Sequence, residues 1–286
     1  MAIDALPLGE AELVTGAALA RMRINLSYLF KQHRIPDLEN AERFTEMVQL
    51  RKLHDRDPRH PILMDKIAAK RLVADALGEE WIVPMRWQGP DLPETIPFAC
   101  PAILKARHGC NQYRVLRTAP THGEWEQIRR TASRWMRREY GGWLDEWGYR
   151  DTPRGLLAEP LLNPDGALPI DYKIYVFGGQ ATHVQVHLDR AGKHRWVLHD
   201  RDWRQLVPGA DAPLPPMSLS SMLAAAEQLA SGYDFLRVDF YEVEGRPLFG
   251  EFCLYPGSGL DPFAADWVDF ELGALWCAAR AEADIL

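Results

Sequence analysis

Two strand-like segments near the C-terminal end of the chain constrain the fold more than any other feature. Polar and apolar residues alternate in Leu236-Arg-Val-Asp-Phe-Tyr241, and the segment 248–254 follows after a glycine-containing turn. Alternation with a period of two is typical of a strand that buries one face. An earlier pair of such segments, 170–177 and 181–188, flanks Gly178-Gly179, which is a hairpin signal. The second half of the chain is therefore predicted to form an antiparallel sheet.

The C-terminal hairpin is expected to bring two carboxylates together. Alternation puts Arg237 and Asp239 on one face, and the turn sets Asp239 opposite Glu251. In its own strand, Glu251 is predicted to share a face with Phe249 and Cys253. Facing carboxylates repel each other unless a proton or a cation lies between them, and oxygen ligands without a histidine or cysteine cluster suit Mg²⁺. The residues alone predict either a magnesium site or an arginine–carboxylate network on a solvated sheet face.

The first half of the chain reads as helices followed by a small mixed segment. Apolar residues recur at helical spacing in 10–32, and a second helical stretch covers 40–54. Asp65 is a candidate cap for a helix that runs to Leu77. Residues 102–105 read as a strand that enters a tight, glycine-containing loop. Helices and antiparallel strands in one chain predict the α+β class.

Several lysines are spaced as a phosphate-binding site would need them. Lys105 ends an apolar strand just before the glycine-containing loop, where an ammonium group would meet phosphate. Lys66 and Lys70 lie four residues apart on one helix face, which on its own is typical of a solvated surface. Lys173 shares a strand face with Asp171.

Composition narrows the classes of function. The 286 residues carry a net charge of −7, which argues against a general nucleic-acid binder. The four cysteines include no CxxC pair, and neither a P-loop nor a dinucleotide-binding glycine motif occurs. No apolar run approaches the ~18 residues of a membrane span, and the first residues are not typical of a secretory signal. We therefore expect a cytoplasmic protein without a membrane span.

Six short strings occur in a fixed order between residue 60 and the last predicted helix. They are Met64-Asp-Lys66, Ile103-Leu-Lys105 with His108-Gly109, Ala158-Glu159-Pro160, Asp171-Tyr-Lys-Ile-Tyr-Val-Phe-Gly178, Leu236-Arg-Val-Asp-Phe-Tyr241, and Phe249-Gly-Glu251 through Pro256-Gly-Ser-Gly259. Together they resemble the ATP-grasp superfamily, and most closely its teichuronopeptide-biosynthesis branch, the TupA-like ATP-grasp proteins. The resemblance implies an α+β fold in which two lobes with antiparallel sheets enclose ATP. It divides the chain into a helical N-terminal segment (1–60), a small lobe (61–118) and a C-terminal lobe (119–286).

The resemblance also implies a role for each candidate site residue. The implied nucleotide-binding residues are Lys66, Lys105, His108, Gly109, Glu159 and Asp171; the implied magnesium ligands are Asp239 and Glu251; the implied catalytic residues are Arg237 and Lys173. Among these, Glu159 matches a hinge carboxylate near adenine and ribose. Arg237 is similar to the residue that stabilises a tetrahedral intermediate. The segment 107–111 resembles a small flexible loop over the phosphates.

Two features depart from the pattern of the superfamily. Cys253 lies where the superfamily often has a magnesium-binding Asn and where this branch often has Thr, and a thiol is a poor magnesium ligand. The usual N-terminal substrate domain is replaced by about 60 helical residues, so the resemblance does not predict which substrates are recognised.

The activity that the resemblance implies is an ATP- and Mg²⁺-dependent carboxylate–amine ligase that acts through an acylphosphate. Its expected partners are ATP, a carboxylate and an amine, which are small molecules or saccharides. One specific hypothesis is the attachment of an amino acid to a uronic-acid sugar or peptide during cell-surface polysaccharide biosynthesis. Two alternatives stay open: a kinase of the same fold that phosphorylates a hydroxyl, and a non-catalytic nucleotide-binding or sugar-binding module.

Overall fold

The computed structural model describes residues 10–163, 168–188, 195–208 and 213–282, and it contains two antiparallel sheets. The helices are α1 (Glu10–Gln32), α2 (Phe44–His54), α3 (His60–Met64), α4 (Lys66–Leu77), α5 (His122–Arg137), α6 (Leu219–Leu229) and α7 (Asp266–Glu282). The strands are β1 (Trp87–Gly89), β2 (Ala102–Ala106), β3 (Tyr113–Leu116), β4 (Leu156–Pro160), β5 (Asp171–Phe177), β6 (Gln180–Leu188), β7 (Arg195–Asp200), β8 (Phe235–Val243) and β9 (Arg246–Cys253). None of these helices has the length and apolar character needed to cross a membrane. The predicted α+β class is confirmed.

The first sheet has the strand order β1-β4-β2-β3 and packs against α5. A capping box between Thr121 and Glu124 starts α5. Buried Trp125 then donates from its indole nitrogen to the Pro93 carbonyl oxygen at 3.0 Å. β4 pairs with both β1 and β2, although it comes from the segment 119–286 that the predicted division assigns to the C-terminal lobe. A later part of the chain therefore completes the first sheet.

The second sheet has the strand order β7-β6-β5-β8-β9, and both predicted hairpins are present in it. Gly178 and Gly179 join β5 to β6 with φ angles of 53° and 80°. This left-handed backbone favours glycine and matches the twist of a two-residue hairpin turn. In the C-terminal hairpin, Asp239 pairs with Glu251, so the predicted juxtaposition of these two carboxylates is confirmed.

A β-bulge in the C-terminal hairpin overturns one expectation about its faces. Phe249 pairs with Phe240 rather than continuing the alternation from Glu251, because Gly250 is an extra residue in β9. Phe249 therefore lies on the apolar face, where its ring is 4.7 Å from that of Phe252. The prediction that Phe249 shares a face with Glu251 was wrong, since strict alternation does not hold across a bulge.

The second helix of the N-terminal segment is an integral part of the second-sheet core. The ring of Phe44 in α2 lies 5.1 Å from Phe235 and 5.4 Å from Trp276. Arg51, also in α2, is fully buried and pairs with Asp234, whose other oxygen accepts from the Trp276 indole at 2.6 Å. Such a network fixes α2 and α7 to the start of β8, because each of its buried charges has a partner. Sequence patterns did not indicate this role for Arg51.

Candidate functional site

A narrow cleft between the two sheets is lined by three of the six predicted nucleotide-binding residues. From the first-sheet side it is lined by Lys66, Lys105 and Gly109, and from the second-sheet side by Glu251. The cleft has a volume of about 80 Å³, well below the ~300–1,000 Å³ typical of ligand pockets. The cleft is therefore smaller than a typical ligand pocket.

Two clusters of charged side chains lie beside the cleft. The first, the Glu159 cluster, is formed by Lys70, Lys105 and Glu159. The Glu159 carboxylate accepts from Lys70 at 2.7 Å and from Lys105 at 2.6 Å. Burial opposes ionisation of Glu159, but the charges of Lys105 and Lys70 outweigh it and lower its pKa to about 2. Lys70 is 6% exposed and also donates to the Val83 carbonyl oxygen at 2.8 Å. The interpretation of Lys70 as a solvated surface residue was wrong, because β4 and the segment after α4 enclose it.

The second charged group, the Asp239 cluster, consists of Asp171, Lys173, Arg237 and Asp239, all buried on β5 and β8. Lys173 pairs with Asp171 at 2.6 Å and with Asp239. Arg237 donates from Nε to Asp239 Oδ1 at 2.7 Å and from Nη2 to Oδ2 at 2.8 Å. Burial raises the pKa of Asp239, but Arg237 and Lys173 outweigh that effect and hold the pKa at about 2. Asp239 is therefore ionised at neutral pH.

Glu251 differs from its partner Asp239 in being accessible, with 33% of its side chain exposed. Within the part of the chain that the structure describes, it forms an ion pair with the Lys66 ammonium at 3.9 Å. Lys66 also donates to the Gly109 carbonyl oxygen at 2.7 Å. Lys66 thus connects the loop after β2 to β9 across the cleft.

The loop after β2 is anchored by contacts that the sequence did not reveal. Arg107 donates from Nε to Asp65 Oδ1 at 2.6 Å, and the same carboxylate accepts from the Ile67 amide at the start of α4. The His108 side chain points away from the cleft. Its Nε2 is 3.2 Å from the Trp135 carbonyl oxygen, and its Nδ1 accepts from the Gly155 amide at 3.5 Å. His108 therefore holds the loop in place, while Gly109 lines the cleft.

Two facing carboxylates are of the chemical type that binds magnesium together with phosphate, although both oxygens of Asp239 are bonded to Arg237 and Lys173. No group of three or more His, Cys, Asp or Glu residues in the described part of the chain is arranged to hold a metal. Asp239 and Glu251 still present two facing carboxylates, and Mg²⁺ is commonly bound by one or two carboxylates together with water and phosphate oxygens. Burial raises the pKa of the Cys253 thiol to about 12, so the thiol stays protonated and is a poor ligand.

A second, larger cavity of about 690 Å³ opens on the other side of Glu251. Its wall includes Lys173, Arg237 and Cys253 from the second sheet, together with Tyr149 and Ser258. Glu251 lines both this cavity and the cleft between the sheets. A small molecule in the larger cavity would therefore lie next to whatever occupies the cleft beside Glu251. No motif in the sequence indicated this cavity.

The two-sheet fold and the charged cleft define the ATP-grasp class of proteins. The structure resembles an L-amino acid ligase from Bacillus licheniformis with a TM-score of 0.53, at 12% identity over 94% of this chain and 62% of that one. The profile of the TupA-like ATP-grasp family matches residues 46–277. The chain belongs to the TupA-like ATP-grasp family.

Other solved structures are similar over a smaller part of the fold. A D-alanine–D-alanine ligase from Bacillus anthracis complexed with ATP aligns at 15% identity and a TM-score of 0.46, over 77% of this chain and 67% of that one. The ATP-grasp ligase PsnB, complexed with a phosphomimetic precursor variant, Mg and ADP, aligns at 14% identity and a TM-score of 0.43, over 79% of this chain. This chain spans 60% of the length of PsnB. No match was found among curated protein sequences.

Proposed function

We propose that this protein is an ATP-dependent carboxylate–amine ligase that acts through an acylphosphate. The observation that carries the proposal is the meeting of two cavities at Glu251. One is the cationic cleft between the sheets, and the other is a substrate-sized cavity of about 690 Å³ that reaches Arg237. A ligase of this kind needs a nucleotide site and an acceptor site that share one boundary, because the γ-phosphoryl group must pass from one to the other.

The residues of this chain supply binding and electrostatic stabilisation in the proposed reaction. Lys66 and Lys105 meet the phosphate oxygens of ATP, where their charge offsets the charge that develops during phosphoryl transfer. Asp239 and Glu251 would hold Mg²⁺, which when bound neutralises charge on the phosphates. Arg237 lies in the wall of the larger cavity, and the guanidinium donors that are not bonded to Asp239 would stabilise the oxyanion that forms when an amine adds to the acyl carbon.

The chemical sequence is a transfer followed by a substitution. A carboxylate oxygen of the acid attacks the γ-phosphorus of ATP, and ADP leaves with the electron pair of the broken P–O bond. The amine nitrogen then attacks the acyl carbon, the bond from that carbon to the bridging oxygen breaks, and phosphate leaves. The nitrogen loses a proton, and the products are an amide, ADP and phosphate. The family also supports the more specific hypothesis of an amino acid joined to a uronic-acid sugar or peptide.

Hydroxylamine trapping tests the proposal without knowledge of the natural amine. The protein is incubated with Mg·ATP, hydroxylamine and one carboxylate at a time from a panel of amino acids and uronic acids. We expect at least one acid to give a hydroxamate with equal amounts of ADP and phosphate. Release of AMP would contradict the proposal. A phosphorylated product without free phosphate would identify a kinase, and failure to bind nucleotide would identify a non-catalytic module.

A further inference from the structure

The larger cavity contains a buried carboxylate that none of the roles above uses. Glu146 immediately precedes the turn Trp147–Tyr149, lines the cavity and is 6% exposed. The Ser258 hydroxyl is the hydrogen-bonding group next to its carboxylate and acts to lower its pKa. Ser258 lies in the turn Pro256–Gly259, a few residues beyond Glu251 in the chain. Glu146 therefore faces the space that adjoins the proposed site of acyl transfer.

No cationic side chain pairs directly with Glu146. Among the residues that the structure describes, no lysine, arginine or histidine nitrogen approaches its carboxylate within 4.0 Å. Lys52 is the nearest cation that acts on it, but its ammonium donates to Ser258 O at 2.6 Å, to Ser258 Oγ at 2.7 Å and to Gln49 Oε1 at 3.1 Å. Those three bonds use all the donors of Lys52. Ser258 thus separates the two charges, and Glu146 has space for a cation from outside the chain.

The surroundings of Glu146 favour a positively charged ligand. Burial raises the pKa of Glu146, although the charge of Lys52 and the bond from Ser258 act in the opposite direction. A buried carboxylate with no ion pair gains more from a cation than an exposed one, because its charge is poorly screened by water. The rings of Tyr140 and Tyr149 also line this cavity, with their centroids 4.7 Å apart. Aromatic faces next to a carboxylate are a common setting for an ammonium group.

We propose that Glu146 is the recognition site for the ammonium group of the amine substrate. The proposal rests on the ligase function above and specifies its nucleophile as a primary amine that enters in its charged form. The ammonium group releases one proton to solvent before the nitrogen attacks the acyl carbon, and the nitrogen loses a second proton as the amide forms. A cavity of about 690 Å³ accepts a molecule of the size of an amino acid or an amino sugar. The ammonium binds between Glu146 and the two tyrosine rings, in the same cavity as Arg237.

A purely structural role for Glu146 makes a different prediction. Ser258 has a φ of 58°, a left-handed backbone that is uncommon for a residue other than glycine. The bond to Glu146 would in that case only support this turn. Glu146→Gln separates the two roles, because the amide still accepts from the Ser258 hydroxyl but carries no charge.

Binding of matched pairs of small molecules tests the proposal. Each pair compares an amine with a similar neutral molecule. The pairs are ethanolamine with ethylene glycol, alaninamide with lactamide, and glucosamine with glucose. Calorimetric titration should show that the wild-type protein binds at least one amine at least tenfold more tightly than its neutral counterpart. Glu146→Gln should abolish this preference, and Glu146→Asp should retain part of it. Glu139→Gln, an exposed residue in the same segment, should leave it unchanged.

Two outcomes would overturn the proposal. One is a wild-type protein that shows no preference for any of the amines, a comparison that needs no variant to fold. The other is a preference that survives in Glu146→Gln. Hydroxamate formation by the wild-type protein distinguishes either of these outcomes from a failure of the proposed ligase function. Hydroxylamine is largely uncharged at neutral pH and therefore needs no ammonium site. The exposed-residue control Glu139→Gln is therefore expected to form hydroxamate at the wild-type rate and to keep the preference for amines.

Discussion

The Glu159 cluster and the Asp239 cluster both combine cationic side chains with carboxylates but carry different net charges. Two lysines share one carboxylate in the Glu159 cluster, which leaves one positive charge in excess. Two cations face two carboxylates in the Asp239 cluster, so its charges balance. The first cluster is therefore suited to meet an anion such as phosphate. The second holds Asp239 ionised and in a fixed orientation, and the accessible Glu251 beside it supplies the negative charge for a cation.

The largest effect is expected from breaking the balance of the Asp239 cluster. Asp239→Asn leaves Lys173 with Asp171 alone and deprives Arg237 of its carboxylate partner. We expect a loss of ligase turnover of about 10²–10³-fold or more, the size seen when one preorganised electrostatic group is removed. The free energy of unfolding should also fall by about 3–5 kcal/mol, as when one partner of a buried pair is lost. Rates of ADP release and urea denaturation measure the two losses.

Asp75→Asn is the matched control for that prediction, because Asp75 is exposed on α4. It should change neither turnover nor stability measurably. A turnover in Asp239→Asn equal to that of the control would show that the Asp239 cluster only holds the sheet together.

The next effect separates the two lysines of the Glu159 cluster. Lys105 lines the cleft, whereas Lys70 donates to the Val83 carbonyl oxygen behind it. Lys105→Met should therefore raise the KM for ATP by about 10–100-fold, an amount typical of the loss of a charge-assisted hydrogen bond. Lys70→Met should change that KM much less and should instead lower the free energy of unfolding by about 1–3 kcal/mol. Equal effects of the two variants on the KM for ATP would show that Lys105 and Lys70 do not differ in their contribution to nucleotide binding.

The dependence of stability on pH should differ between the two clusters and the buried His183 of the second sheet. Glu159 and Asp239 have pKa values of about 2 in the folded chain, below their unfolded values, so the stability they confer is lost only as pH falls from about 4.5 towards 2. His183 differs, because burial lowers its pKa to about 4. The unfolded chain then binds the extra proton first, and stability falls as pH drops from about 6.5 to 4, by up to about 3 kcal/mol. Urea denaturation at pH 7 and pH 4.5 should show this loss.

His183→Gln provides the control for the pH series. The variant lacks the titrating ring and should lose less stability than the wild type between pH 7 and pH 4.5. An identical loss in both proteins would mean that another group titrates in this range, and His60, with a pKa lowered to about 4, would be the next residue to replace.

The contrast between the clusters also explains what the sequence can and cannot predict. Asp239 and Glu251 were predicted to face each other because the alternation and the turn specify a register. Lys70 and Glu146 were not recognised, since their burial is produced by elements distant in the chain and leaves no local pattern. The bulge at Gly250 was not predicted either, because strict alternation was assumed along the whole strand. One extra residue reverses which face each later side chain lies on. Local patterns thus predict strands and their pairing, while the environment of a charge depends on tertiary packing.

The smallest effect is expected at the bulge, whose extra residue sets the position of Glu251 relative to Asp239. A Cβ atom at Gly250 would lie 3.1 Å from the Asp239 carbonyl oxygen and 3.3 Å from the Tyr241 ring. Gly250→Ala should therefore displace β9 slightly, lower the free energy of unfolding by about 1–2 kcal/mol and reduce turnover by less than tenfold. Gly123→Ala is the matched control, because a Cβ atom in that first turn of α5 meets no atom within 4 Å. Alanine favours a helix over glycine, so this control should be stabilised by up to about 1 kcal/mol. If Gly250→Ala behaved like Gly123→Ala in urea denaturation and in turnover, the close approach of β8 and β9 would not be what places Glu251 opposite Asp239.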